Sequence, residues 1–289
     1  MIYIFLICAV VSSASISVFS TLFNRRNADK KHLSLMYSFV TVFSAFLGWS
    51  VIYAFDFSFE PKVLIYSLGY GVFYAMAIFG LLNAFKTGSV ALTAFIKQLS
   101  LVFVSFWGFI FWNTAVTVNI GIGLVLMAAA LFLCLFTHEK GEKIEINWKW
   151  CIYALMLLAG NAGCSIIQKY QQMAFDKQHG SMLMCFATMF SSVICLLLTV
   201  KEEKKDWKAA LKSSWFCPVL GGMSSAVLNL FIMLLLASTL SVGITFPVIA
   251  VGGMIITILV SVVAYKEKIS VRKWIGLAIG TMSIVFLNL

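Results

Sequence analysis

One lysine interrupts a long apolar segment, where an isolated charge is costly. Lys97 lies about eight residues into the apolar run 89–112 and has apolar neighbours on both sides. An ammonium near the middle of a bilayer costs about 2.5–3.5 kcal/mol on insertion scales. With Thr93 and Ser100 on the same helix face, Lys97 could line a hydrated cavity and attract a carboxylate or phosphate. Alternatively, its stem could extend to a lipid headgroup or a backbone carbonyl, and the sequence is compatible with both.

Two sets of polar residues share the spacing i, i+4, i+7, i+11, which places each set along one face of a helix. They are Ser13, Ser17, Ser20 and Asn24, and Asn161, Ser165, Gln168 and Gln172. Four amides or hydroxyls on one face should not point at lipid. Each set is therefore predicted to face a cavity or another helix.

A proline and several polar side chains add candidates for a cavity. Pro247 lacks a backbone N–H and is predicted to bend the run 241–264, exposing a carbonyl at mid-depth. Tyr70, Tyr74 and Asn229 lie in other central runs and could line the same cavity. Tyrosine is also the usual residue at a membrane interface.

The titratable residues argue against an enzyme. Every carboxylate falls in a connector or at the end of an apolar run, so the sequence has no buried acidic pair. They are Asp29, Asp56, Glu60, Glu139, Glu142, Glu145, Asp176, Glu202, Glu203, Asp206 and Glu267. The three histidines also lie near run ends, and no HExxH motif is present. The seven cysteines form no CxxC pair, so we predict no catalytic residues, metal or cofactor.

Composition identifies the elements that position these residues. The chain has 289 residues, of which 62% are hydrophobic and 11% charged, whereas soluble domains average about 25% charged. Ten apolar runs are each long enough to cross a bilayer as a helix. They are roughly 2–22, 33–55, 63–85, 89–112, 115–136, 150–172, 181–200, 215–237, 241–264 and 271–288. The sequence therefore predicts an all-α, ten-helix membrane protein retained in the cell membrane.

Basic residues are concentrated in alternate connectors. Sixteen of the 21 lysines and arginines lie in the segments 23–32, 137–149, 201–214 and 265–273. Because cytoplasmic connectors accumulate Lys and Arg, both termini are predicted to face outward. The net charge is +10. The basic residues responsible for it lie between hydrophobic runs and not on one amphipathic face, so no nucleic-acid partner is predicted.

The chain contains an internal repeat. With a shift of 152, residues 68–112 align without a gap with residues 220–264, and Ser89, Val90 and Thr93 match Ser241, Val242 and Thr245. With a shift of 148 the two polar stripes also align. Two five-helix repeats, 1–140 and 141–289, are therefore predicted. Since five is odd, the second repeat enters the membrane inverted, as in many secondary transporters.

These features together resemble the drug/metabolite transporter superfamily, EamA type. The resemblance covers the whole chain and includes the segment 265–270 with Glu267, followed by Gly276 and Gly280. In that family each repeat tends to have an acidic, Gly-Glu-like turn after its fourth helix. Glu267 stands at this turn in the second repeat, whereas the first repeat has Trp112-Asn113-Thr114 there. Family members are usually drawn with both termini in the cytoplasm, which differs from the prediction based on Lys and Arg.

The resemblance implies a small-molecule transporter with a central cavity lined chiefly by the third, fourth, eighth and ninth predicted helices. The expected substrate-binding residues are Tyr70, Tyr74, Thr93, Lys97, Gln98, Asn229, Thr245 and Pro247, with Asn161 and Gln168 from the polar stripe. The expected activity is alternating-access transport of an amino-acid-like or anionic metabolite. A non-transporting receptor or accessory protein and a flippase for lipid-linked substrates are the alternatives. For Gly276 and Gly280 we favour internal packing over a homodimer seam.

Overall fold

Helices form almost all of the structure, because a chain in lipid must satisfy its backbone hydrogen bonds internally. The computed structural model describes residues 2–27, 29–30, 33–87, 90–112, 117–135, 148–200, 206–238, 240–265 and 271–288. Within these ranges the helices are α1 (Ile2–Arg26), α2 (Ser34–Phe55), α3 (Val63–Thr87), α4 (Val90–Phe111), α5 (Val118–Leu135), α6 (Trp148–Ala174), α7 (Gly180–Thr199), α8 (Trp207–Ser214), α9 (Phe216–Ala237), α10 (Val242–Tyr265) and α11 (Val271–Asn288).

Eleven helices occur in the described ranges, one more than the ten predicted. The additional helix is α8, in the segment 201–214 that was predicted to be only a charged connector. Its Ala210 and Ser214 are buried, whereas Lys208 and Lys212 are exposed. Both pairs are four residues apart, so α8 has one packed face and one basic face. A short amphipathic helix of this kind escapes a search for long apolar runs.

The chain has the helices of a multi-pass membrane protein. Seven of those described, α1, α2, α3, α6, α7, α9 and α10, are long and apolar enough to cross a membrane. Shorter apolar stretches occur in α4, α5 and α11. The all-α membrane class predicted from composition is confirmed at this level.

Helices from the first half of the chain pack mainly against helices from the second half. The most extensive pairs are α3 with α6, α5 with α11, α1 with α9 and α2 with α7. The pairs α3–α7, α2–α9, α1–α10, α4–α10 and α4–α6 follow. The halves therefore interlock. The boundary predicted at residue 140 lies outside the described residues.

The apolar interior is divided into two main clusters. One is formed by α1, α4, α5, α10 and α11, and the other by α2, α3 and α7. Helices α6 and α9 contribute to both: Ala162 and Ile232 belong to the first cluster, whereas Cys164 and Met233 belong to the second. Helices α6 and α9 therefore stand at the boundary between the two clusters.

Glycine allows several helix pairs to approach closely. A Cβ atom on Gly160 of α6 would lie 2.6 Å from the backbone nitrogen of Ala77 in α3. Gly280 faces Val251 and Ala130 of the same chain, and Gly276 is buried. These contacts favour internal packing of the glycine pair in α11, as the sequence suggested.

Candidate functional site

A hydrogen-bonded cluster joins α3 and α9 at the boundary between the two apolar clusters. The Tyr70 hydroxyl donates to Asn229 Oδ1 at 2.9 Å, and Asn229 Nδ2 donates to the Ser225 carbonyl at 2.9 Å. The hydroxyls of Tyr74 and Ser225 are 2.7 Å apart. Tyr70 and Tyr74 are buried, with ring centroids 6.0 Å apart. The structure thus brings together three predicted site residues from distant parts of the sequence.

The polar stripe of α6 extends this cluster. Gln168 is buried, and its Nε2 lies 3.5 Å from the backbone oxygen of Asn229. One turn further, Gln172 Nε2 donates to the Met233 carbonyl at 3.1 Å. The stripe was predicted to face either a cavity or another helix. Both glutamines contact another helix, α9. Asn161, at the other end of the stripe, is half-buried.

Lys97 points into the protein. Its Nζ donates to Ser17 Oγ of α1 at 2.9 Å, so the ammonium contacts the first of the two polar stripes. Phe106, nine residues later, is exposed on the opposite face of α4. Snorkelling to a headgroup is therefore not the arrangement in this structure.

The Lys97–Ser17 bond joins two helices that otherwise have few contacts among the described residues. Both side chains are half-buried, and α1 and α4 are not among the extensively packed helix pairs. The lysine side chain therefore bridges α4 to α1.

The neighbouring polar groups of α4 have other partners. Thr93 is buried, and its Oγ1 accepts a hydrogen bond from Trp150 Nε1 of α6 at 3.0 Å. Ser100 Oγ donates to the Lys97 carbonyl at 2.6 Å. The sequence placed both residues on the same helix face as Lys97. In the structure the Thr93 hydroxyl links α4 to α6, and the Ser100 hydroxyl binds the backbone of its own helix. The Gln98 side chain lies outside the described residues.

Two predicted site residues lie within α10. Thr245 is buried, and its hydroxyl donates at 3.0 Å to the carbonyl of Ser241, the residue just before α10. Pro247 is also buried, inside an uninterrupted helical segment. Neither has a side-chain contact with Tyr70, Asn229 or Lys97 among the described hydrogen bonds.

Three residues of the first polar stripe, on α1, contact other helices. Ser17 accepts from Lys97, and the Ser20 and Tyr37 hydroxyls are 3.1 Å apart, linking α1 to α2. Ser13 is buried beside Gly253 of α10. Tyr37 was not among the sequence candidates. Its position four residues after the start of the apolar run 33–55 resembles that of an interfacial tyrosine.

A cavity of about 480 Å³ lies near one end of the bundle. Its walls include Trp112, Lys169 and Val242, from α6 and from the segments at the end of α4 and the start of α10. None of the predicted site residues lines it. In the sequence, Lys169 is one of the few lysines in the connectors predicted to lie on the less basic side of the membrane. It follows Ser165 by four residues and so shares a helix face with the polar stripe, which is the signal that could have identified it.

Comparison with known proteins identifies the fold only. No family model and no curated protein matches the sequence. A solved structure described only as the crystal structure of a protein aligns over 96% of this chain and 95% of its own, with a TM-score of 0.71 and 14% identity. The near-complete coverage shows that the whole helical arrangement, and not one part of it, occurs in another protein.

The Tyr70–Asn229 hydrogen bond offers a measurable test of the cluster. We expect Tyr70→Phe and Asn229→Ala each to lower the melting temperature, and the double variant to lose less than the sum. The coupling should lie between about 0.6 kcal/mol, the average for hydrogen bonds between membrane helices, and about 1.7 kcal/mol, the largest value. Thermal unfolding of the four purified proteins in detergent measures it. Strict additivity would show that the bond contributes nothing to stability.

Proposed function

We propose that this protein is a secondary transporter of the drug/metabolite transporter type, EamA-like, in a plasma or inner membrane. It moves a small amino-acid-like or anionic metabolite by alternating access. The observation that carries the proposal is the inward-facing ammonium of Lys97, which is bonded to a neutral hydroxyl, Ser17 Oγ, at 2.9 Å.

The charge of Lys97 is the feature that calls for a ligand. Its described hydrogen bond is to Ser17, and the carboxylates in the described ranges, such as Asp56 and Asp206, lie at connectors. Removing an ammonium from water without a countercharge costs several kcal/mol. A substrate carboxylate or phosphate would supply that countercharge. An anion or a zwitterion therefore fits the site better than a cation.

The helix pairing supports two inverted repeats. The sequence repeat equates α1–α5 with α6, α7, α9, α10 and α11. If each helix is replaced by its equivalent in the other repeat, three of the packed pairs map onto three others: α3–α6 onto α1–α9, α3–α7 onto α2–α9, and α4–α6 onto α1–α10. All six of these pairs are extensively packed. The pairs α2–α7, α4–α10 and α5–α11 exchange with themselves. In secondary transporters with a two-fold relation of this kind, the substrate site lies between the repeats, near mid-membrane.

Alternating access in this arrangement requires motion between the two apolar clusters. Since the helices of the two repeats interlock, a rocking movement would not separate residues 1–140 from 141–289 as intact bundles. The clusters are the more natural moving bodies, with α6 and α9 between them. The hydrogen bonds of Tyr70, Gln168 and Asn229 lie on that boundary.

Metabolite profiling tests the proposed activity. Cells producing the wild-type protein, a Lys97→Ala variant or an exposed-lysine control, Lys62→Ala, are compared with cells lacking the protein. We expect a small anionic or zwitterionic metabolite to change in level with the wild type and the control, but not with Lys97→Ala at equal protein amount. Uptake of that metabolite into proteoliposomes then measures transport directly.

A receptor or accessory protein that transports nothing is the second candidate. The observation in its favour is that Gln168 and Gln172 donate to backbone carbonyls of α9, so part of the polar stripe already serves helix packing. In that case the metabolite profiles with and without the protein should coincide. Purification of the intact protein should then recover a stoichiometric membrane partner.

Orientation follows from the distribution of basic residues. Because Arg26, Lys208 and Lys212 lie at the same end of the bundle, where Arg26 donates to the Ser213 carbonyl, that end is proposed to be cytoplasmic. We expect a reporter that works only in the cytoplasm to be inactive when fused after residue 289. The same reporter inserted in the connector 201–205 should be active. The reverse result would place the basic end outside.

A further inference from the structure

The cavity described above, which we name the Lys169 cavity, lies apart from the Lys97 region. Its lining includes Trp112, Lys169, Leu236, Ser238 and Val242, together with Thr117 at the start of α5. Trp112 follows Lys97 by fifteen residues, which corresponds to roughly 22 Å along a helix. The two lysines therefore occupy different depths of the bundle.

The electrostatics of this cavity favour an anion. Lys169 is half-buried, and none of the described residues that line the cavity is acidic. No hydrogen bond or ion pair of Lys169 occurs within the described part of the chain. A second ammonium lies nearby, because Lys177 Nζ donates at 2.6 Å to the carbonyl of Ala237, which stands between the lining residues Leu236 and Ser238. Two nearby cations without a facing carboxylate raise the local concentration of anions.

The remaining walls are largely apolar. The Trp112 ring packs edge-to-face on Tyr170, with centroids 5.6 Å apart. Leu236 and Val242 are buried side chains of the first apolar cluster. The volume of about 480 Å³ falls within the range of about 300–1,000 Å³ usual for small-molecule sites. An inorganic ion would leave most of this surface uncovered.

The start of α10 adds to the positive potential. The Gly243 backbone N–H donates to Ser241 Oγ at 3.1 Å, so Ser241 caps the helix at the cavity wall. The N-terminus of a helix carries a partial positive charge. This partial charge therefore adds to the positive potential that Lys169 creates in the cavity.

We propose that the Lys169 cavity binds a small organic anion, a carboxylate attached to an apolar or aromatic body, with Lys169 holding the carboxylate and Trp112 contacting the body. The site is distinct from Lys97 and goes beyond the transport proposal, since it does not depend on whether Lys97 binds substrate.

Fluorine NMR on the full-length protein in a non-ionic detergent tests this site with 4-fluorobenzoate as the probe. We expect saturable binding by the wild type, and none by the neutral analogue 4-fluorobenzamide. Lys169→Gln should weaken binding at least about tenfold, because one charge-assisted hydrogen bond is lost. Lys169→Arg should retain most of the affinity. The matched control Lys62→Gln, at an exposed position, should stay within about twofold of the wild type, because its charge does not touch the probe.

A second variant guards against misfolding. Leu240→Trp fills the cavity without removing a charge, and we expect it to abolish binding while the protein elutes as the wild type does in size exclusion. Equal binding by the wild type and Lys169→Gln, or no saturable binding by the wild type, would overturn the proposal. Loss of binding in Lys97→Gln alone would also overturn it, by assigning the probe to the Lys97 region.

Discussion

Lys97→Met is expected to lower affinity for the transported metabolite by about 10- to 100-fold, which corresponds to the 1.5–3 kcal/mol of a hydrogen bond to a charged group. Methionine has a similar length and no charge, so the helix packing around α4 should be preserved. The variant should therefore accumulate to wild-type amounts. Its melting temperature without ligand should equal or exceed that of the wild type, because an ammonium bonded to a neutral hydroxyl, Ser17 Oγ, no longer needs to be desolvated.

The measurement is thermal unfolding of purified protein with increasing amounts of the metabolite identified by profiling. A ligand that binds the folded state raises the melting temperature by an amount that grows with the logarithm of its concentration divided by Kd. Lys62→Met, at an exposed position, is the matched control and should respond as the wild type does. Lys97→Arg should keep part of the response. Undiminished binding and transport by Lys97→Met would remove this lysine from the site.

Gly222→Ala is expected to destabilise the protein by about 1–3 kcal/mol, the usual cost of overpacking. Gly222 of α9 faces α2 so closely that an added Cβ would overlap the Thr41 carbonyl oxygen and lie 2.9 Å from Ser44 Cβ. The obstruction by Thr41 is backbone, which cannot move aside as a flexible side chain can. The two helices would have to separate along their whole contact.

Gly121→Ala is the control for this prediction. A Cβ atom at Gly121 of α5 would meet nothing within 4 Å, and alanine is favoured over glycine in a helix by up to about 1 kcal/mol. We expect this variant to be neutral or slightly more stable. Melting temperatures of the two variants in detergent provide the comparison. Equal changes in both would show that the α2–α9 contact is not as close as the structure has it.

Most of the fold was predictable from apolar run length. Bilayer thickness sets the length of a membrane helix. Each predicted run overlaps a described helix, and seven of these helices are long and apolar enough to cross a membrane. Helix α8 was missed because its eight residues are stabilised by packing of Ala210 and Ser214 and not by hydrophobicity along their length. Amphipathic segments of this size do not stand out from a charged connector.

The candidate site was predictable only in part. The sequence selected Tyr70, Tyr74, Asn229 and Gln168 as separate polar residues in apolar runs, and the structure joins them in one cluster. It could not assign partners such as Ser225, since serine is ordinary in a membrane helix. The Lys169 cavity was missed because it is formed by the ends of several helices, whose lateral arrangement no local pattern encodes.

By itself, the sequence determined that this chain is helical and belongs in a membrane, because those properties follow from local hydrophobicity and from the cost of exposing backbone polar groups to lipid. It also identified Lys97 as exceptional, since a buried charge is costly in any arrangement. Only the tertiary structure decided that the ammonium meets Ser17 and that a lysine-lined cavity lies at one end of the bundle. Those contacts depend on which helices are neighbours, and helix pairing is set by packing between residues far apart in the chain.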